Sequence, residues 1–286
     1  GYKAEDFVAR FSFNLNIYGN LWETVAKFRA ARKLWAKLLR EKYHVQNKKA
    51  LFLRGIFGGG GSGMTKQQPE NNIMRGAYYA LAAALSGAQT TALCSFDEAY
   101  TIPTERAALL SLRTFQILMD EIGLRDTVDP LAGSYFVETL TKEMEQRILE
   151  EMEKVEKVGG MVEAVSSGYV QSEVSRQAYE YEKKLQKGDI TKVGVNKYTE
   201  GADMEVELHE YNDEWAQLQI RRLKELKRDR DGAAVKTSLK ALEKAAREKQ
   251  NVMPYLVECC KSYATVGEMA DVFRDVFGVY VEPNIF

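Results

Sequence analysis

Histidine is nearly missing from this 286-residue chain, which has only His44 and His209. Zinc hydrolases and imidazole-based metal clusters draw on several convergent ligands, so two histidines all but remove that class. With so few histidines, no Ser-His-Asp or Cys-His nucleophilic arrangement can be argued. Cysteine is scarce as well: Cys94, Cys259 and Cys260, two of them adjacent. Such a set does not make a disulfide framework, and it fits a reducing compartment. No apolar run reaches the ~18 residues of a transmembrane helix. The opening residues, Gly1 to Asp6, lack a signal-peptide core. A cytoplasmic location and no membrane association are therefore expected. Charge of one sign is lacking too: 40 Lys plus Arg stand against 41 Asp plus Glu, a net of -1. Without a basic field, nucleic-acid binding by bulk charge is not expected.

The composition that remains, 45% hydrophobic and 28% charged, is that of a folded protein with a sizeable core. The length suits one large domain or two smaller ones. Phe11–Asn16 reads as a short strand, and Trp22–Arg40 has helical spacing in Val25, Phe28, Leu34 and Leu38. Ala50–Leu53 reads as a buried strand leading into the glycine run Gly58–Gly63. An Ala-rich helix over Ile73–Ser86 and a strand over Thr90–Cys94 follow. Thr104 is placed to cap a long helix reaching Ile122. Val128–Pro130 is a fourth candidate strand, ahead of a helix from Ser134. This strand–helix rhythm predicts parallel βα units. Beyond them the chain is helical: to Lys157, over Met161–Lys187, Asn212–Arg230, Gly232–Lys249 and Val266–Phe277. Four strands are too few to close a parallel barrel, so the chain reads as part of a larger fold.

Three stretches could carry chemistry. Gly58 and Gly63 have the G-x-x-x-x-G spacing of a phosphate loop, but Met64 stands where the lysine belongs. The run could instead let a flat ligand approach bare backbone, or be a plain loop at a strand end. Asp97 and Glu98 follow a strand end, where barrel active sites sit. Being consecutive, they do not form an acid–base pair; one could cap the next turn while the other reaches a ligand hydroxyl. Arg29, Arg32, Lys33 and Arg54 could hold an anion, or the first three could line a solvated helix face. Cys259 and Cys260 lie in an apolar helical stretch and read as core.

Five segments carry a resemblance: KFRAARKLW at residues 27–35, TKQQPENN at 65–72, SFDEAY at 95–100, DPLAGSY at 129–135 and GVNKY at 194–198. Their order and spacing resemble the methylmalonyl-CoA mutase family across nearly the whole chain. QQPENN and the ending Tyr280-Val281-Glu282-Pro283 resemble the isobutyryl- and 2-hydroxyisobutyryl-CoA mutase large subunits, whose cobalamin domain is a separate chain. The resemblance implies an α/β fold: the C-terminal half of a (β/α)8 TIM-type barrel over 1–190, then a helical segment over 191–286. It further implies coenzyme A threading the barrel, with adenosylcobalamin across the strand C-terminal ends starting a radical 1,2-rearrangement of the acyl group. The first half-barrel, with the family's catalytic tyrosine and histidine, is expected ahead of Gly1. No D-x-H-x-x-G cobalamin motif is present, so the lower axial histidine is expected from another chain. The implied partners are an N-terminal half-barrel mutase chain, a small cobalamin-binding subunit and acyl-CoA, in a homo- or hetero-oligomer.

By the same resemblance, Gly61, Glu98 and Ala99 match cofactor-facing positions, and Arg32 and Lys33 match the pair near the CoA phosphates. Catalytic and metal-ligating residues are not expected in this chain. Several positions depart from the family pattern. Its R-x-H-x-Q-T-x-G is here Arg54 to Gly61 with Ile56, Gly58 and Gly59, and its H-T-N is Ala92-Leu93-Cys94. If each lost polar group worked as an oxyanion donor does, its removal would cost about 2–4 kcal/mol. Three readings follow: a component of an adenosylcobalamin-dependent mutase, inactive alone; a non-catalytic structural paralogue; or a CoA- or nucleotide-binding module.

Overall fold

The computed structural model describes residues 2–17, 19–201 and 205–281. Glu282 and Pro283 of the terminal resemblance lie outside the described residues. The chain divides into two compact units, Gly1–His209 and Glu210–Phe286.

The first unit opens with the short helix α1 (Ala4–Phe7) and is built on three parallel strands: β1 (Phe13–Asn16), β2 (Gly55–Gly59) and β3 (Thr90–Leu93). They lie in the order β1-β2-β3. Helix α2 (Leu21–Glu41) follows β1. Asn20 caps it, its side chain accepting from Trp22 N at 2.9 Å and Glu23 N at 3.1 Å. Helix α3 (Asn71–Leu85) follows β2, and its Gly76, Ala80, Ala82 and Ala83 face lets it lie close on the sheet. Ile17, Phe28, Leu53, Phe57, Ala82 and Ala83 form the core between the sheet and these helices. Phe28 and Phe57 meet at 4.6 Å between ring centroids, tilted by 53°. Helix α4 (Glu105–Asp120) is capped by Thr104, as its sequence predicts. Helix α5 (Tyr135–Val158) is capped by Ser134 and packs along α2. Helices α6 (Met161–Ser166) and α7 (Tyr169–Lys187) complete the unit's helices.

Three expectations change. Ala50–Leu53 is a turn, not a strand; Ala50 and Leu51 serve a side cluster in which Ala50 meets Val8, Leu39 and Val45, Leu53 joins the main core and Phe52 is exposed. The strand falls instead on the glycines, Gly55–Gly59. Val128–Pro130 is not a strand either: Asp129 has φ +48° and binds Arg29. The single helix expected over Met161–Lys187 breaks at Gly168, whose φ is +79°.

Among the described residues, only one face of the sheet is covered. Asn14, Ile56 and Thr90 lie in register across the strands, and all three are exposed, Ile56 by 43%. Asn16 and Ala92, one pair further along, are exposed as well. Parallel sheets are ordinarily buried on both faces. Among the described residues, β1 and β3 are both edges.

The second unit contains α8 (Asp213–Asp229), α9 (Gly232–Arg247), α10 (Met253–Lys261) and α11 (Val266–Phe277). Leu242, Cys259 and Met269 form its core. Cys260, expected in the core beside Cys259, is exposed. Arg230 grips Glu268 with both terminal nitrogens, at 2.8 and 2.5 Å, while Glu268 closes a capping box with Thr265. The Arg230 guanidinium holds the Glu268 carboxyl well below the usual carboxylate range.

Candidate functional site at the strand C-terminal ends

The three strands deliver three loops to one end of the sheet. Asn16 ends β1, the glycine run leaves β2, and Cys94 to Ala99 leave β3. Gly59 and Gly60 have φ of +83° and +80°, a region that L side chains rarely adopt. The run then turns through a short 3-10 segment, Gly61–Gly63. Asn16 stations it from β1: Gly60 N donates to Asn16 Oδ1 at 2.9 Å, and Asn16 Nδ2 donates to Ser62 Oγ at 3.2 Å. From β3, Cys94 N donates to Gly59 O at 3.0 Å.

Gly61 and Glu98 come together here. A Cβ added at Gly61 would lie 3.2 Å from Glu98 Oε1 and 3.3 Å from Cys94 Sγ. Burial, together with the neighbouring Glu98 carboxylate, pushes the Cys94 thiol up from its ordinary value. The thiol is therefore protonated at neutral pH. Ala99 follows Glu98 on the same exposed turn. The two carboxylates differ in role. Asp97 is fully buried and accepts from Ser95 Oγ, from Thr104 N at 3.0 Å and from Thr104 Oγ1 at 3.2 Å. It fastens the loop to the start of α4, while Glu98 remains exposed.

Arg32 and Lys33 are not part of this cluster. Arg32 is pulled to the C-terminal end of α3, where it donates to Ser86 O. That carbonyl sits four residues ahead of β3, at the opposite end of the strands. Burial lowers the Arg32 pKa from its usual value. Lys33 is 64% exposed and pairs with Glu145 of α5 at 2.6 Å. Arg29, one turn earlier on α2, pairs with Asp129 and Glu138, so it anchors the 129–135 turn and α5 to α2. Arg54 is exposed just ahead of β2.

Four residues of the site were not among the sequence candidates: Asn16, Asn72, Arg75 and Lys192. Asn72 is 1% exposed. Its Nδ2 donates to Thr65 O at 2.8 Å and to Phe96 O at 2.9 Å, and its Oδ1 accepts from Thr65 N at 3.0 Å. One amide thus ties the glycine-loop exit to the Glu98 loop. Arg75 donates to Thr65 Oγ1 at 2.6 Å and Asn72 Oδ1 at 2.7 Å. The recurring asparagines within TKQQPENN were the available signal for Asn72. Lys192 lies too far along the chain for any local pattern to place it here.

The loop is not built as a phosphate loop. Helix α3 begins at Asn71, well beyond Gly63, so its N-terminus does not follow the glycines directly. Thr65, where such a loop presents a hydroxyl, is buried against Asn72 and Arg75. Among the described residues, no group of three His, Cys, Asp or Glu is disposed to hold a metal, and no helix is long and apolar enough to cross a membrane. What the site offers is the half-exposed backbone of Gly59 and Gly61 and the exposed Ser62, beside the exposed Glu98 carboxylate.

Comparison with known proteins gives this geometry a lineage. The family described as Methylmalonyl-CoA mutase matches residues 1–279. The 2-hydroxyisobutanoyl-CoA mutase large subunit of Aquincola tertiaricarbonis is 37% identical over 288 residues, covering 100% of this chain and 51% of that protein. Methylmalonyl-CoA mutase of Rhizobium meliloti is 36% identical over 282 residues, covering 98% of this chain and 40% of the relative. The mitochondrial methylmalonyl-CoA mutase of Homo sapiens is 35% identical over 280 residues, covering 97% and 37%. The chain spans about half or less of the length of these relatives. Aligned along nearly all of its own length, this chain belongs to the methylmalonyl-CoA mutase family.

Proposed function

We propose that residues 1–190 are the C-terminal half of a (β/α)8 barrel and that the chain is a component of an adenosylcobalamin-dependent acyl-CoA mutase. Residues 191–286 are then an extension of that half. The observation that carries this reading is the uncovered sheet face, Asn14, Ile56 and Thr90, between two unpaired edges. A second half-barrel would pair both edges and turn that face inward. A small cobalamin-binding subunit would close the C-terminal end.

The residues fit a corrin there. Gly59 and Gly61 present half-exposed backbone, with Ser62 and Ala99 exposed nearby in sequence and Glu98 against Gly61. When bound, adenosylcobalamin supplies the radical that starts the acyl rearrangement. This chain's own share is to offer a close-fitting floor, to hold Glu98 as an acceptor for a ligand hydroxyl, and to help exclude water. Arg32, which reaches Ser86 near the far end of strands about 13–17 Å long, would with Lys33 meet the phosphates of a CoA whose pantetheine arm runs along the barrel axis. Ile56 and Ala92 on the inner face suit an apolar acyl group.

The same two residues also favour a second reading, a structural paralogue that keeps the fold without turnover. The deciding experiment is intact mass analysis of the native assembly with acyl-CoA isomerisation measured on it. Co-purification with a half-barrel chain and a cobalamin chain, with turnover, is expected; the isolated 286-residue chain should be inactive. An assembly holding both partners and cobalamin but turning over no acyl-CoA would favour the paralogue. Assembly of this chain with itself alone would sink the mutase reading.

A further inference from the structure

The segment after α7 doubles back onto the glycine loop. Asn196 folds it into a compact turn: its Oδ1 accepts from Lys192 N at 2.7 Å, and its Nδ2 donates to Leu185 O at 2.8 Å and Ile190 O at 2.7 Å. The turn is fixed at two further points, by Arg75 of α3 and by Gln68 of the TKQQPENN segment. Arg75 Nη2 donates to Val193 O at 2.7 Å, and Gln68 Nε2 donates to Tyr198 O at 3.0 Å and Glu200 O at 3.2 Å. From this base Lys192 extends to the loop, and its Nζ donates to Gly63 O at 2.5 Å, a contact 129 residues apart in sequence.

We propose that Lys192 is a positioning residue that fixes the ligand-facing turn Gly61–Gly63 from residues 190–200, a role that rests on the cofactor reading above. A run of glycines does not hold one conformation unaided. Asn16 secures the entry of the turn and Asn72 the chain just beyond it, at Thr65. Lys192 secures the exit itself. Its ammonium is half-buried and, with Arg75 beside it, forms no ion pair with a described carboxylate. The carbonyl of Gly63 is thus the charge partner that the fold gives it. A charge-assisted bond to backbone is stronger than a neutral one, which suits a contact at the glycine end of a turn that Asn16 holds from the other side.

The test compares the 286-residue chain with Lys192→Met, with Lys192→Gln, which keeps a donor, and with Lys197→Met as a control on the same segment. Hydrogen exchange over residues 60–64 and iodoacetamide alkylation of Cys94, whose sulfur adjoins Gly61, read the turn locally; urea unfolding reads the whole chain. Lys192→Met should speed both local rates about tenfold, the size of one charge-assisted hydrogen bond, with a much smaller global change. Lys192→Gln should fall between, and Lys197→Met should match the native chain. Native exchange in Lys192→Met, or acceleration spread evenly over the molecule, overturns the proposal. In the reconstituted assembly the Lys192→Met variant should bind adenosylcobalamin about tenfold more weakly, as the same bond is lost. A loosened turn with native affinity also overturns it. If the native assembly binds no adenosylcobalamin, the cofactor reading fails, and the exchange data still decide whether Lys192 pins the turn.

Discussion

At Cys94, burial and a neighbouring carboxylate together set the protonation of the thiol. Glu98 helps hold the Cys94 thiol neutral, with burial as the larger cause. Glu98→Gln removes that negative neighbour, so the Cys94 pKa falls toward its ordinary value and thiolate increases at a given pH. Alkylation of Cys94 at mildly alkaline pH should rise about twofold to fivefold; a native rate would show that Glu98 does not act on the thiol. The consecutive pair Asp97-Glu98 was half legible in sequence. Adjacent positions exclude an acid–base pair, and the structure gives Asp97 the capping role and leaves Glu98 exposed. Which of the two would be buried depends on Thr104, seven residues on, and no local rule states that. Arg32 and Lys33 were legible as cations; their partners Ser86 and Glu145 come from elements distant in sequence.

The strands show most clearly where sequence patterns fail. Helices with apolar faces and capping residues, such as α2, α4 and α11, follow from spacing and caps alone. β2 does not, because its formation depends on close approach rather than on β-branched side chains. A Cβ at Gly58 would stand 2.2 Å from Ala92 O and 2.5 Å from Ala92 N, its register partner on β3. Gly58 therefore does more than omit the polar side chain of the family pattern. It lets two backbones come together. Gly58→Ala should destabilise the first unit by about 2–3 kcal/mol through overpacking, read as a lower urea midpoint; an unchanged midpoint would mean that β2 and β3 are further apart. The apolar run Ala50–Leu53 misled for the converse reason: Ala50 and Leu53 are buried, and a turn satisfies them as well as a strand.

At the scale of the whole molecule, the two units should respond differently to acid. Glu268 is held ionised by Arg230. A carboxylate whose folded pKa is depressed contributes stability above its unfolded pKa and loses it as pH falls. The second unit should therefore weaken from about pH 5 downward, with labelling of buried Cys259 by dithiodipyridine in urea as its readout. Arg230→Met should cost about 1.5 kcal/mol near neutrality and flatten that acid dependence. An equally steep loss in the variant would place the acid sensitivity elsewhere. The parallel sheet itself was legible from the βα rhythm. Its uncovered face was not, since exposure of Ile56 depends on what the rest of the chain fails to cover.

The bond from Lys192 to Gly63 also sets an order of events during synthesis. The glycine loop leaves the ribosome 129 residues before the lysine that fastens it. At ordinary elongation rates that is an interval of about 6–26 s. Throughout that time β1, β2 and β3 can pair and α3 can pack, while the turn at Gly63 still lacks its anchor. The sheet can thus be finished well before the site is.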